Sequence, residues 1–210
     1  MFLDRADGGR SLAEKLRKYR GQDVVVFGLP RGGVATARVV ADELNAPLDL
    51  IITRKIGHPG NPEYALGAVT DDGETAYNRD ALNGVSPEWL EQERLRQLEE
   101  AERRRLLYLE SRPPISVNGR IAILVDDGIA TGYTMEAAIL SLRKRQPAKI
   151  VVAAPVAPES AVRRFAALAD EVVIVEAPEL FFAIGQWYED FSQLADEDVL
   201  ELMRKTPVVT

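Results

Sequence analysis

The sequence predicts an α/β fold built on an open, mostly parallel, doubly wound sheet of five strands. Three observations lead there. Apolar runs of strand length recur at Val24–Phe27, Leu48–Thr53, Ile121–Val125, Ile150–Ala154 and Val172–Val175. They are rich in β-branched residues and nearly continuous, as strands covered on both faces are. Helical patterns or a long insertion separate consecutive runs, so each strand is joined to the next by a crossover, which makes neighbours parallel. Several runs end in loops of glycine, charge and hydroxyl, and ligands of such sheets sit beyond the carboxyl ends of the strands.

A chain of 210 residues with 46% hydrophobic content suffices for one domain, 1–210, with a full core. It has no cysteine, which excludes disulfides, thiolate metal sites and a cysteine nucleophile. No apolar run approaches the roughly 20 residues of a membrane span. The opening MFLDRADGG lacks the pattern of a signal peptide, so a cytoplasmic protein is expected. A net charge of −7 argues against nucleic acid as a partner. It leaves an anionic small ligand open, because one loop can outweigh the global charge.

In chain order, Leu12, Leu16 and Tyr19 mark one face of a helix beginning near Arg10. The first strand runs into Gly28-Leu-Pro-Arg-Gly-Gly33 and then the helical stretch Val34–Leu44. The glycine spacing fits neither the dinucleotide fingerprint nor a P-loop. What remains is an anion-binding loop with one cation, Arg31, and two glycines, Gly32 and Gly33, that let backbone N–H groups approach a ligand. A strained or cis peptide is expected beside Arg31, where it would free such N–H groups. The second strand ends at Arg54 and Lys55, a pair suited to a polyphosphate, or else a solvated basic turn. The stretch 58–83 is rich in Gly, Pro, Asn and Asp and reads as a lid with a small hairpin over Ala65–Tyr77. It holds His58, the only histidine, either a plain loop residue or a phosphate contact. Ser86 and Pro87 open a long charged helix ending at Arg112-Pro113-Pro114. Its interleaved Glu and Arg fit a solvated ladder of ion pairs or a dimer contact. Residues 58–114 thus form an insertion between core strands.

The third run leads directly into Asp126-Asp127, then Gly128-Ile129-Ala130-Thr131-Gly132-Tyr133-Thr134 and a helical pattern over Met135–Lys144. A small, hydroxylated loop at a helix N-terminus offers free N–H groups and the positive end of a dipole to a phosphate. The carboxylates just before it suit hydroxyls or a hard cation. A helix over Glu159–Leu168 separates the last two strands, and Pro155 and Pro178 mark further strand exits. Beyond them Phe181, Phe182, Trp187, Tyr188 and Phe191 suggest a stacking wall for a planar base, or plain core or a dimer seam. A helix over Asp196–Arg204 closes the pattern.

The string from Ile121 to Thr134 resembles the phosphoribosyl-diphosphate (PRPP) motif of the type I phosphoribosyltransferases. Ala130 stands where many members have Thr or Ser, and Tyr133 where many have Gly or Lys. Pro30-Arg31-Gly32-Gly33 sits where that family binds pyrophosphate, and Arg54-Lys55 resembles a pair in the adenine phosphoribosyltransferases. The resemblance implies a strand order of 3-2-1-4-5, a small hood from 1–20 and 179–210, and a mobile loop beginning around Glu63, Tyr64 and Gly67. It implies transfer of phosphoribosyl from PRPP to a nucleobase or other nitrogen acceptor, with Mg2+ as cofactor, in a homodimer. It assigns Asp126 and Asp127 to the ribose hydroxyls and metal, with Arg54 and Lys55 joining them in catalysis. It implies that Pro30 to Gly33 and Gly128 to Thr134 bind substrate, the N–H groups of Ala130 to Thr134 and the Thr131 and Thr134 hydroxyls holding the 5′-phosphate, and Arg31, Gly32 and Gly33, helped by Arg54 and Lys55, the leaving pyrophosphate. Two other classes stay open. One is a PRPP or nucleotide sensor without catalysis. The other is a metal-dependent phosphatase or receiver domain, disfavoured because the first strand exit carries no Asp.

Overall fold

Every residue of Val24–Gly28 (β1) is buried. The strand pairs in parallel with Leu48–Leu50 (β2) on one side and Ile121–Val125 (β6) on the other. Lys149–Val156 (β7) and Glu171–Glu176 (β8) extend the sheet, again in parallel, to the order β2-β1-β6-β7-β8. This computed structural model describes residues 1–110 and 112–204; the last part of the expected hood, 205–210, lies outside them. The five-stranded, doubly wound sheet is the one anticipated. The centre of the order 3-2-1-4-5 is present, with the first strand between the second and the strand after the insertion. Among the described residues no strand lies outboard of β2, because the segment that follows pairs in another sheet, and β8 takes the fifth place at the far edge.

Alternation along β1 divides the interior. Val24 and Val26 face a core shared with Arg5–Lys15 (α1), Gly32–Leu44 (α2), part of Pro87–Leu109 (α3) and Asp196–Arg204 (α6). Val25 and Phe27 face a second core shared with Tyr133–Lys144 (α4) and Glu159–Phe165 (α5). Both faces are covered, which is why the strands read as continuous apolar runs.

The apolar run Leu48–Thr53 conceals a junction. β2 stops at Leu50, Ile51 and Ile52 are buried beyond it, and Thr53–His58 (β3) starts a separate antiparallel sheet with Asn61–Thr70 (β4) and Thr75–Tyr77 (β5). Arg54 and Lys55 therefore lie within a strand rather than at the end of one. The expected hairpin is β4–β5, and β3 is its unforeseen third member. α3 covers one face of this sheet, packing Leu98, Trp89 and Leu90 on Ile56, Leu66 and Val69. It is capped by Ser86, whose Oγ accepts from the Trp89 N–H at 3.3 Å, and laddered by pairs such as Glu91–Arg94 and Glu93–Arg96.

α1 begins at Arg5, earlier than the periodicity suggests. Asp4 caps it by accepting from the Asp7 N–H at 2.7 Å. Gly8 and Gly9 hide the helix in the sequence, yet they admit a close packing: a Cβ on Gly9 would lie 2.9 Å from the Val39 Cβ on α2.

At the opposite edge Glu171 accepts from Lys149 at 2.7 Å and from the Tyr19 hydroxyl at 2.6 Å, and pairs with Lys18 at 2.6 Å. Burial works against its charge, but these bonds hold the carboxyl down at about 2 from 4.5. Its stabilisation is therefore full above the unfolded value and lost as pH falls from about 4.5 towards 2. After discounting for partial exposure, Glu171→Gln should cost about 1–2 kcal/mol near neutrality. Urea midpoints should show this gap at neutral pH and a smaller one near the bottom of the window.

Candidate functional site

The loop after β1 folds back onto β6: the Leu29 N–H donates to the Val125 carbonyl at 3.1 Å. The Pro30–Arg31 peptide is cis, as expected beside Arg31. Val34 donates to the Arg31 carbonyl at 3.1 Å, while the N–H groups of Arg31, Gly32 and Gly33 make no backbone hydrogen bond among the described residues. They form the open N-terminus of α2.

β6 delivers the two aspartates against that same backbone. A Cβ on Gly32 would collide with the Asp127 carboxylate, 2.7 Å from its Cγ. A Cβ on Gly33 would lie 2.7 Å from Asp126 Oδ1 and 2.9 Å from Asp126 Cα. Only glycine fits either place, and the two loops meet through that contact. Asp126 Oδ1 accepts from the Asp127 N–H at 2.9 Å. Burial first, and then the adjacent Asp127 charge, hold the Asp126 carboxyl well above the usual carboxylate range.

Asp127 is buried and already partnered. Arg5 Nε donates to its Oδ2 at 2.6 Å, and the Tyr188 hydroxyl donates to its main-chain carbonyl at 2.5 Å. Burial pushes the Tyr188 hydroxyl strongly up. Sequence reasoning missed both partners, since neither stands in a motif.

The loop after β6 is bracketed by two bonds at 2.9 Å, Ile129 N–H to the Val156 carbonyl and Glu136 N–H to the Gly132 carbonyl. Between them the N–H groups of residues 130–134 make no backbone hydrogen bond among the described residues. Thr131 and Thr134 bring their hydroxyls to this stretch. Gly132 adopts φ +78°, and a Cβ there would lie 2.7 Å from the Phe165 Cζ. Gly128 is pressed against Ile184 from the hood. Arg164 braces the loop from α5: Nη1 donates to the Thr131 carbonyl at 2.9 Å, Nη2 pairs with Glu136, and the guanidinium lies 4.5 Å from the Tyr133 ring centre. Arg164 also carried no sequence signal.

Arg54 and Lys55 sit side by side in β3. Consecutive strand residues point to opposite faces. Arg54 is on the α3 side with Ile56, its Nε donating to Gln97 at 3.1 Å. Burial, and then Arg104, weaken its hold on its proton, and it lies within electrostatic reach of Arg31. Lys55 pairs with Glu63 at 3.1 Å, on the face where its β4 neighbour Ala68 packs near Tyr133 and Ala137 of α4. The two side chains leave β3 on opposite faces, and both border one open cavity together with His58, Glu63 and Gln97. His58 accepts from the Gly60 N–H at 3.0 Å in the β3–β4 turn. Arg31 faces Asp196 of α6 at 3.7 Å, and Asp196 accepts from the Tyr108 hydroxyl at 2.5 Å. Burial and then that bond push Tyr108 up to about 12.

The aromatic segment packs as a core cluster of its own. Phe2 and Tyr188 are buried with Val156, and Phe181, Ile184, Trp187 and Phe191 pack on them, while Phe182 stands out to solvent. Phe2 ties both chain ends together, its N–H donating to the Trp187 carbonyl at 2.8 Å and its carbonyl accepting from Glu189 at 2.9 Å. No helix among the described residues is long and apolar enough to cross a membrane.

Two loops with open backbone N–H groups and a pair of carboxylates meet at the switch point of the parallel sheet, the place where ligands of such sheets bind. The chain belongs to the phosphoribosyl transferase domain family, whose model matches residues 3–184. It is 44% identical over 205 residues to a Mycobacterium tuberculosis protein named provisionally as a phosphoribosyl transferase, found in strains CDC 1551 and H37Rv. That match takes in 97% of this chain and 46% of the relative, so the chain spans about half the length of these relatives. The crystal structure of TT1426 from Thermus thermophilus superposes with a TM-score of 0.80 at 44% identity, covering 97% of each chain. A purine phosphoribosyltransferase from Pyrococcus horikoshii shares the fold, with a TM-score of 0.50 at 19% identity over 93% of this chain and 97% of that one.

Proposed function

We propose that this chain transfers the 5-phosphoribosyl group of PRPP to a nitrogen acceptor and releases pyrophosphate. The observation that supports the reading is the contact of Gly32 and Gly33 with the two carboxylates, which sets the loop after β1 directly against Asp126 and Asp127. In this reading the N–H groups of residues 130–134, with the Thr131 and Thr134 hydroxyls, hold the 5′-phosphate. Asp126 and Asp127 accept from the 2′- and 3′-hydroxyls. The N–H groups of residues 31–33 and the Arg31 guanidinium hold the pyrophosphate, with Arg54 adding positive potential behind Arg31. The bond from C1 to the pyrophosphate oxygen breaks, the acceptor nitrogen bonds to C1 and gives up its proton, and pyrophosphate leaves. Catalysis is then chiefly positioning and electrostatics.

The donor set fits a hard cation carried by the diphosphate. Among the described residues no three His, Cys, Asp or Glu side chains gather to hold one unaided. Asp126, the carboxylate not bonded to Arg5, is the residue to meet it. Bound there, Mg2+ would neutralise charge on the leaving group. A cytoplasmic homodimer belongs to the same proposal.

The second reading is a sensor that binds PRPP without transfer. It is favoured by the internal partners that Asp127 and Arg31 already hold. The deciding experiment follows pyrophosphate release from PRPP and Mg2+ across purine and pyrimidine bases and simple amines. Release that depends on one acceptor is the expected result and names the substrate. PRPP binding without release would favour the sensor. Asp126→Asn combined with Asp127→Asn should weaken PRPP binding by about 100-fold, two lost charged hydrogen bonds; retained affinity would refute the role of the pair.

A further inference from the structure

Arg5 is a charged side chain taken almost wholly out of water, with 11% of its surface exposed against 10% for Asp127. Its surroundings form a closed circuit. Nε donates to Asp127 Oδ2 at 2.6 Å and Nη1 to the Ser192 carbonyl at 2.7 Å. The guanidinium lies 4.0 Å from the Phe191 ring centre; Phe191 stacks on Tyr188 at 5.0 Å, and Tyr188 returns to the Asp127 carbonyl. The Gly32 backbone closes the remaining side, a Cβ there falling 2.9 Å from Arg5 Nε. Burying an ion pair in this way gives little net stability, whereas removing one partner leaves a costly bare charge. The circuit therefore does more for geometry than for folding: it fixes the Asp127 carboxylate beside Asp126 and sets a positive charge against it.

We propose that Arg5 is a positioning residue for recognition of the ribose hydroxyls, so that preference for a ribose over a 2-deoxyribose ligand depends on a guanidinium from the hood. The inference rests on the PRPP reading and assigns part of that site to the first helix of the chain. Arg5 itself need not touch the ligand.

The test is calorimetry on the full chain with ribose 5-phosphate, 2-deoxyribose 5-phosphate and pyrophosphate. The natural protein should bind ribose 5-phosphate more tightly than its deoxy analogue. Arg5→Gln should reduce that preference by about tenfold, the worth of one charged hydrogen bond. Its affinity for pyrophosphate and for the deoxy sugar should hold within about twofold, inside the spread of ordinary surface changes. Arg5→Lys, which keeps the charge, should restore part of the preference. A purely structural role would instead weaken all three ligands together, and that result, or an unchanged preference in Arg5→Gln, would overturn the proposal. If Arg5→Gln does not fold, Phe191→Leu removes the ring beneath the guanidinium and should lower the same preference, with no change counting against Arg5. A natural protein that binds both sugars equally would refute the role of Arg5 alone. One that binds neither sugar phosphate would refute the PRPP reading and this inference together.

Discussion

Gly32→Ala should abolish PRPP-dependent pyrophosphate release, while Gly60→Ala, in the β3–β4 turn, should leave it intact. The added methyl at 32 would enter the Asp127 carboxylate, 2.7 Å from Cγ and 2.9 Å from Arg5 Nε. Neither neighbour is free to retreat, since Asp127 is fixed by Arg5 and Tyr188. At Gly60 the same methyl meets only His58, at 3.5 Å, an ordinary contact. Overpacking of this kind costs about 1–3 kcal/mol in stability, and the site suffers more because the loop after β1 and the carboxylates must part. A rate loss beyond about 100-fold is expected, in line with misplacing groups by an ångström. Thermal melting and the release assay, run on both variants, check this; full activity in Gly32→Ala would mean that the carboxylates and the loop do not work as one site.

Arg31→Gln should lower kcat/KM by about 100- to 1,000-fold, the usual loss when one donor to a developing charge is removed. It should leave the melting temperature nearly unchanged. The reason is the contrast with Arg5. Arg31 is 37% exposed on its side chain and faces the Asp196 carboxylate at a loose 3.7 Å, a surface-type pair worth about 0–1 kcal/mol. In the proposed reading its contribution goes to an incoming anion, which must outcompete Asp196. Steady-state kinetics with PRPP as the varied substrate, beside a melting curve, separates the two effects; a large drop in stability would show that Arg31 holds the fold rather than the ligand.

The parts legible in the sequence are those whose physics is local. β1 and β6 are covered on both faces and read as apolar runs, and the loop from Asp126 to Thr134 follows its strand and precedes its helix without interruption. The run Leu48–Thr53 is opaque because an apolar stretch looks the same whichever sheet it enters, so the change of sheet after β2 leaves no mark. With it goes the orientation of Arg54 and Lys55, adjacent in sequence and opposed in space. The start of α1 is masked by Gly8 and Gly9, which lower helix propensity but serve close packing. Arg5, Tyr188 and Arg164 meet the site across 122, 61 and 33 residues of chain, and no spacing rule records such partnerships. The aromatic segment illustrates the limit of composition: base wall and hood core call for the same residues, and only packing distinguishes them.

The hood has a consequence for how the protein becomes competent. Its bonds join residues almost a whole chain apart: Phe2 to Trp187 and Glu189, and Arg5 to Ser192. Closing loops of that length is entropically expensive and slow, and contacts of high sequence separation form late. The parallel sheet can assemble from nearer neighbours, whereas the clasp on Asp127 must wait for the segment beyond β8. Native-like secondary structure should therefore precede ligand affinity during refolding, and a nascent chain halted before Tyr188 would carry the loop after β6 while lacking the bonds that hold its carboxylates in place.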